Sequence, residues 1–129
     1  MKVEKLHIVI GLFYALAGMA LGMVMAESGD HTQHVTHAHA MLVGFVVSAL
    51  YAVFYRLWEL KQGLLALIQF GVHHIGTIIM VIGLYMLYGA MMPEDQIGPI
   101  LGIASALVVA GMVLMLWFVI RGVKPAEPA

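Results

Sequence analysis

Residues 97–120 read IGPILGIASALVVAGMVLMLWFVI, a run of twenty-four residues without one charged side chain. An α-helix rises about 1.5 Å per residue, so about twenty apolar residues cross a hydrocarbon core of about 30 Å. This stretch is therefore long enough to cross a membrane as a single helix. Working outward from it, hydropathy indicates three further spans, at residues 6–26, 35–58 and 64–92.

The composition of the whole chain agrees with a membrane protein. Of its 129 residues, 63% are hydrophobic and 10% are charged, and the mean hydropathy is +1.00. A soluble domain is only about half apolar. We therefore predict an all-α fold, a four-transmembrane-helix up-down bundle in which residues 1–129 form a single integral membrane domain.

Two compositional facts exclude whole classes of function. The chain contains no cysteine, which excludes a disulfide framework, a zinc ribbon, a thiolate-ligated haem and a cysteine-ligated iron–sulfur cluster. Its formal net charge is −1, and a nucleic-acid partner would need a basic face. We therefore expect membrane lipid, and no nucleic acid, as a partner.

The basic residues indicate how the chain is oriented. They fall at the N-terminus, at or just before the break between the second and third spans, and after the fourth span: Lys2, Lys5, Arg56, Lys61, Arg121 and Lys124. The other two breaks carry only acidic charges. By the positive-inside rule, both termini are predicted to be cytoplasmic, in a bacterial inner membrane. We expect residues 1–26 to remain as the first helix, because their apolar run is longer than a signal-peptide core.

Small residues recur at the spacing that lets helices approach closely in lipid. The rows are Gly18 and Gly22 in the first span, Gly44, Ser48 and Ala52 in the second, and Gly98, Gly102, Ala106 and Ala110 in the fourth. Four helices offer too few contacts to use every row internally. We therefore expect the chain to form a homodimer.

Seven histidines distinguish this chain from an ordinary apolar bundle. A histidine inside a membrane is costly and usually faces the bundle interior or a cavity. His7, at the rim of the first span, and His31, in the first break, are predicted to be solvated. His34, His37 and His39 open the second span, and His37 and His39 point about 200° apart on a regular helix, so we expect them to face different neighbours.

The remaining two histidines, His73 and His74, lie in the middle of the third span. They are about 18 Å from Lys61 at helical rise. Gln69, His73 and Thr77 form a polar stripe at helical spacing together with Met80. This stripe favours His73 over His74 as the inward-facing residue.

The available ligand types restrict the cofactor. Without cysteine and with few carboxylates in the spans, a metal must bind imidazole or thioether, or arrive inside a macrocycle. Haem b needs only one or two axial imidazoles and buries a large apolar ring. We predict that it binds His37, His39, His73 and His74, with His39 and either His73 or His74 on the haem iron. One or two haems per chain, or one shared in a dimer, are all compatible with this ligand set.

Residues 37–45, HAHAMLVGF, carry a resemblance to a known family. This segment resembles the His-x-His-x-x-x-x-Gly helix of the catalytic subunit of haem-copper oxidases, most closely in the nitric oxide reductase branch, and is similar to the NnrS family. The resemblance implies that His37 ligates a high-spin, gas-reacting haem and that His39 ligates a low-spin haem. Because those catalytic subunits have many more spans, it implies a minimal relative rather than a complete enzyme.

Two functions follow as expectations. The first is a membrane haem b protein that transfers electrons between a quinol and a periplasmic acceptor, or that binds O2 or NO; an enzymatic activity would then be that of a haem-dependent oxidoreductase. The second is a copper- or zinc-binding or transport protein. Its ligands would be His31, His34, His37 and Met41, since imidazole and thioether together suit Cu(I).

Overall fold

The structure is a computed structural model that describes residues 1–122, so Lys124 lies outside the described residues. It contains four long helices: α1 (Val3–Ser28), α2 (His34–Leu57), α3 (Leu64–Tyr88) and α4 (Glu94–Gly122). Each is long and apolar enough to cross a membrane. The prediction of an all-α fold is confirmed, with four helices of membrane-spanning length and hydropathy in residues 1–122.

The helices alternate in direction, as contacts at both ends show. At one end the Val3 N–H donates to Gln62 Oε1 at 2.9 Å, which ties the start of α1 to the α2–α3 loop. At the other end Gln33 Nε2 donates to the carbonyl of Tyr85 at 3.0 Å. We call the first the basic end, with Lys2, Lys5, Arg56, Lys61 and Arg121, and the second the acidic end, with Glu27, Asp30, Glu94 and Asp95.

A tight turn at the acidic end reverses the chain after α1. Gly29 adopts the left-handed conformation, with φ of 71°, and its N–H bonds to the Met25 carbonyl at 3.0 Å. Asp30 then accepts the backbone N–H of Thr32 at 3.0 Å and its hydroxyl at 2.8 Å. These two hydrogen bonds, the backbone one first, hold the pKa of the Asp30 carboxyl below its usual range.

The second helix is not regular. Between α-helical segments at His34–His39 and Ser48–Leu57, residues Ala40–Val47 form a π-helix. A π-helix bonds each residue to one five positions away, which interrupts the 3.6-residue periodicity, and such segments occur often at functional sites. Residues before and after this segment therefore do not share the faces that a regular helix would give them.

Close backbone contact joins the helices into two hairpins, α1 with α2 and α3 with α4. A Cβ added at Gly44 would lie 2.5 Å from Cγ of Tyr14 on α1, and one added at Gly76 would lie 2.8 Å from the Ala104 carbonyl on α4. Only glycine fits at these two crossings. The predicted packing role of Gly18 is also confirmed, since a Cβ there would lie 2.6 Å from Met41 Sδ.

Candidate functional site

Gln69 lies at the centre of a buried hydrogen-bond network. Its Oε1 accepts hydrogen bonds from the His7 imidazole at 3.0 Å and from the Tyr55 hydroxyl at 3.2 Å. Its Nε2 donates to the carbonyl of Gly111 at 3.3 Å. His7 belongs to α1, Tyr55 to α2, Gln69 to α3 and Gly111 to α4, so this one side chain connects all four helices.

His7 is part of this network, and the prediction that it is solvated was wrong. None of its surface is exposed. Because α1 already begins at Val3, His7 lies one turn inside the helix, and its ring contacts Tyr51, Tyr55 and Phe70 with centroids 5.1–5.8 Å away. The sequence held a signal for this position, since His7 shares helical spacing with the small residue Gly11.

The hydrogen-bond partners fix the tautomers of two imidazoles. A carbonyl can only accept, so the bond to Gly111 identifies the Gln69 amide nitrogen, and Oε1 must accept from His7. The proton of neutral His7 is therefore on Nε2, and its Nδ1 accepts from His74 Nε2 at 3.0 Å. Neutral His74 then carries its proton on Nε2, so its buried Nδ1 is a lone pair without a partner in the described part of the chain.

His73 is held by α2. Its Nε2 lies 3.0 Å from the Ser48 hydroxyl, and its backbone carbonyl accepts the Thr77 hydroxyl at 2.7 Å. Gln69, His73 and Thr77 are each fully buried, which confirms the predicted polar stripe of α3. His73 is the more buried of the two adjacent histidines, but His74 is only 7% exposed, so both side chains face the interior of the bundle. The stripe bonds α2 through His73 and α4 through Gln69, which also reaches His7 on α1, whereas the His74 ring bonds α1 alone, through His7.

His37 and His39 lie near the acidic end and present a different arrangement. His37 Nδ1 is 2.7 Å from the carbonyl of Gly18 on α1, and His39 Nδ1 is 2.8 Å from the carbonyl of Val35 in its own helix. Both acceptors are carbonyls, so each Nδ1 carries the proton and each Nε2 keeps its lone pair. Neither Nε2 has a hydrogen-bond partner in residues 1–122. As predicted, the two rings have different neighbours.

The residues of the predicted copper or zinc site are spread out. His37 and Met41 both contact Gly18 on α1, but the His34 ring lies 6.5 Å from that of Tyr88, at the end of α3. His31 is exposed in the turn and bonds the Gly29 carbonyl at 3.1 Å. Within the described residues, no three histidine or acidic side chains are grouped closely enough to hold one ion.

The structure also keeps the two predicted halves of the haem site apart. His73 is level with Ser48, to which it bonds, and Ser48 follows His39 by nine residues along α2. At about 1.5 Å per residue this is more than about 10 Å along the helix axis. His39 is therefore not brought together with His73 or His74 within one chain.

Comparison with protein-family models, curated proteins and solved structures returned no match for this chain. The chemistry of its own histidines is what distinguishes the possible functions. The outer pair, His37 and His39, offers free Nε2 atoms on rings oriented by carbonyl acceptors. The inner pair, His73 and His74, uses Nε2 in hydrogen bonds, and Nδ1 of each ring has no hydrogen-bond partner among residues 1–122.

Proposed function

We propose that this chain is a membrane haem b-binding protein whose axial ligands are His37 and His39, each on a separate haem or on a haem shared across a dimer, because the two rings have different neighbours. One observation carries the proposal: each ring donates Nδ1–H to a backbone carbonyl and leaves Nε2 free. Metal-ligating histidines are typically held in this way, because the second hydrogen bond fixes both tautomer and orientation. Haem suits these residues better than a bare ion, since it needs only one or two imidazoles.

The inner pair is less suited to this role. His73 Nε2 is engaged by Ser48 and His74 Nε2 by His7, so ligation of an iron through Nε2 would first require either ring to release a buried hydrogen bond. The hydrogen bonds of the inner network instead connect the four helices. We accordingly propose haem ligands at the acidic end, with His73 and His74 as the alternative axial ligands.

When bound, haem would supply one-electron transfer or an open position for a diatomic gas such as O2 or NO. The chain itself would orient the imidazoles through Gly18 and Val35 and would surround the apolar ring with its own side chains and lipid. In this proposal the acidic end faces the periplasm of a bacterial inner membrane, and both termini are cytoplasmic. A membrane quinol and a periplasmic acceptor are the corresponding partners, in keeping with the resemblance to haem-copper oxidases.

Absorption spectra test the proposal directly. Protein purified after expression with haem available is measured oxidised, dithionite-reduced, and reduced with carbon monoxide. We expect a Soret band that is weakened or shifted in His37→Ala or His39→Ala, lost in the double variant, and retained in the matched control His31→Ala, which removes an exposed imidazole from the same end. Absence of the band in the unaltered protein refutes haem binding. Loss of the band only in His73→Ala or His74→Ala moves the ligands to the inner pair.

A Cu(I) site is the second candidate, because His37 and Met41 meet at the same position of α1. Met41 Sδ lies against Gly18, whose carbonyl accepts the hydrogen bond of His37. Imidazole and thioether are ligands that Cu(I) accepts. Metal analysis of a colourless preparation tests this function: copper that disappears in Met41→Leu supports it, and a copper-free preparation contradicts it.

We also propose that the chain forms a homodimer through α4. The small-residue row Gly98, Gly102, Ala106 and Ala110 is not used within the described bundle, since a Cβ at Gly98 or at Gly102 would meet nothing within 4 Å. Gly102, Ala106 and Ala110 are exposed. A row of small residues at every fourth position is a typical contact between helices in lipid.

A further inference from the structure

A cleft of about 830 Å³ lies at the basic end, between the α2–α3 loop and the last turns of α4. Its walls include three aromatic side chains, Trp58 directly after α2 and Trp117 and Phe118 from α4. The volume falls in the range of about 300–1,000 Å³ that is typical of small-molecule sites. The haem proposal does not use this cleft, which is at the opposite end of the bundle from His37 and His39.

The charges on the cleft favour an anionic occupant. Lys61 and Arg121 line it together with one acid, Glu59. The guanidinium of Arg121 lies over the Trp117 ring at 5.7 Å, which holds a cation at the mouth. Within residues 1–122 the ion pair formed at this end joins Arg56 to Glu4, so neither cation of the cleft is neutralised by it.

The position of the cleft favours an occupant with an apolar part. It lies where α2 ends, α3 begins and α4 ends, which is the level of the membrane surface. Leu64 and Leu65 border it and are 74% and 50% exposed, so the cleft opens toward the lipid side of α3. Tryptophan is enriched at this depth because its ring is amphipathic.

We propose that the cleft binds an anionic phospholipid, with the phosphate between Lys61 and Arg121 and the acyl chains against Leu64 and Leu65. Basic pockets between transmembrane helices hold anionic headgroups in this way. The described residues of the acidic end include no lysine or arginine. The proposal therefore assigns the bound lipid to the leaflet at the basic end alone.

Native mass spectrometry of the full-length protein in detergent tests this assignment. The probe is phosphatidylglycerol, compared with phosphatidylcholine of the same acyl chains. Each basic residue near a membrane surface contributes about 1 kcal/mol of attraction, so we expect Lys61→Gln and Arg121→Gln each to weaken phosphatidylglycerol binding about fivefold. Both side chains are exposed, so the variants should fold, which circular dichroism verifies.

Lys5→Gln is the matched control, because it removes one exposed charge from the same end but outside the cleft. Unchanged binding in this control supports a site at the cleft. Equal weakening in the control, or equal binding of the two lipids, overturns the proposal in favour of general attraction or non-specific association. Inorganic phosphate that displaces phosphatidylglycerol at equal concentration also overturns it, since the acyl chains would then contribute nothing.

Discussion

Replacing Gln69 with methionine should destabilise the bundle far more than its nearly unchanged volume suggests. The substitution removes the acceptor of His7 and Tyr55 and the donor to Gly111. An interhelical hydrogen bond in a membrane bundle contributes about 0.6 kcal/mol on average, so three give about 2 kcal/mol. Leaving a buried donor unpaired costs about 1–3 kcal/mol. The two contributions together give an expected fall of about 3–5 kcal/mol in the free energy of unfolding.

The assay is reversible unfolding in mixed micelles with increasing sodium dodecyl sulfate, followed by circular dichroism. Ser105→Ala is the matched control, because Ser105 bonds only the Leu101 carbonyl of its own helix, at 2.8 Å, and is exposed. It should change the free energy of unfolding by less than about 0.5 kcal/mol. A difference that small for Gln69→Met would refute the role of the network.

A double-mutant cycle with His7→Phe separates the hydrogen bond from general packing. The two side chains share a direct bond of 3.0 Å, so their effects should not add. We expect a coupling energy between about 0.6 kcal/mol, the average for such bonds in membrane bundles, and about 1.7 kcal/mol, the largest value. Full additivity would show that His7 and Gln69 are buried side by side without stabilising each other.

Three further predictions use other parts of the bundle. Gly44→Ala should lower the free energy of unfolding by about 1–3 kcal/mol, because its Cβ would lie 2.5 Å from a ring carbon of α1; in the same assay Gly71→Ala, where nothing lies within 4 Å, should be neutral or stabilising, and equal effects would contradict the close contact. Gly102→Leu should weaken self-association in fluorescence energy transfer between labelled chains while leaving the unfolding transition unchanged; unaltered transfer would exclude this row as the interface. Thr32→Val should raise the pKa of Asp30 toward its ordinary value in an NMR titration, because one of two hydrogen bonds to the carboxylate is lost. Since the folded-state pKa is depressed, the stability contributed by this turn is present above the unfolded pKa and is lost as the pH falls through the folded one; an unshifted titration would show that the hydroxyl does not contribute.

The number and type of the helices followed from the sequence because hydropathy over about twenty residues is a strong signal. The polar stripe of α3 also followed, since Gln69, His73 and Thr77 share a face at regular helical spacing. Hydropathy and the polar stripe are both properties of a single segment, so they can be read from that segment alone. The network that Gln69 forms with His7 depends on how separate segments meet, so no single stretch of sequence indicates it.

Two differences have identifiable physical causes. The position of His7 near the start of the first span predicts that this residue is solvated, but the helix already begins at Val3 and the side chain of His7 is fully buried. The π-helical segment Ala40–Val47 changes which residues of α2 face the bundle. Its sequence, AMLVGFVV, is an ordinary apolar run, so the sequence does not predict the change from α-helical to π-helical hydrogen bonds.

The network around Gln69 affects how the α1–α2 hairpin and the α3–α4 hairpin align when they pack together. The α3–α4 hairpin can satisfy the Gln69 amide through Gly111 before the other hairpin arrives, whereas the α1–α2 hairpin carries His7 and Tyr55 without their acceptor. If the two hairpins pack in the wrong register, the His7 and Tyr55 donors remain without acceptors in an apolar environment. Each unpaired donor destabilises that misaligned state. The two hairpins form all the hydrogen bonds of Gln69 in one register only. These bonds therefore favour the native pairing over other pairings of four similar apolar helices.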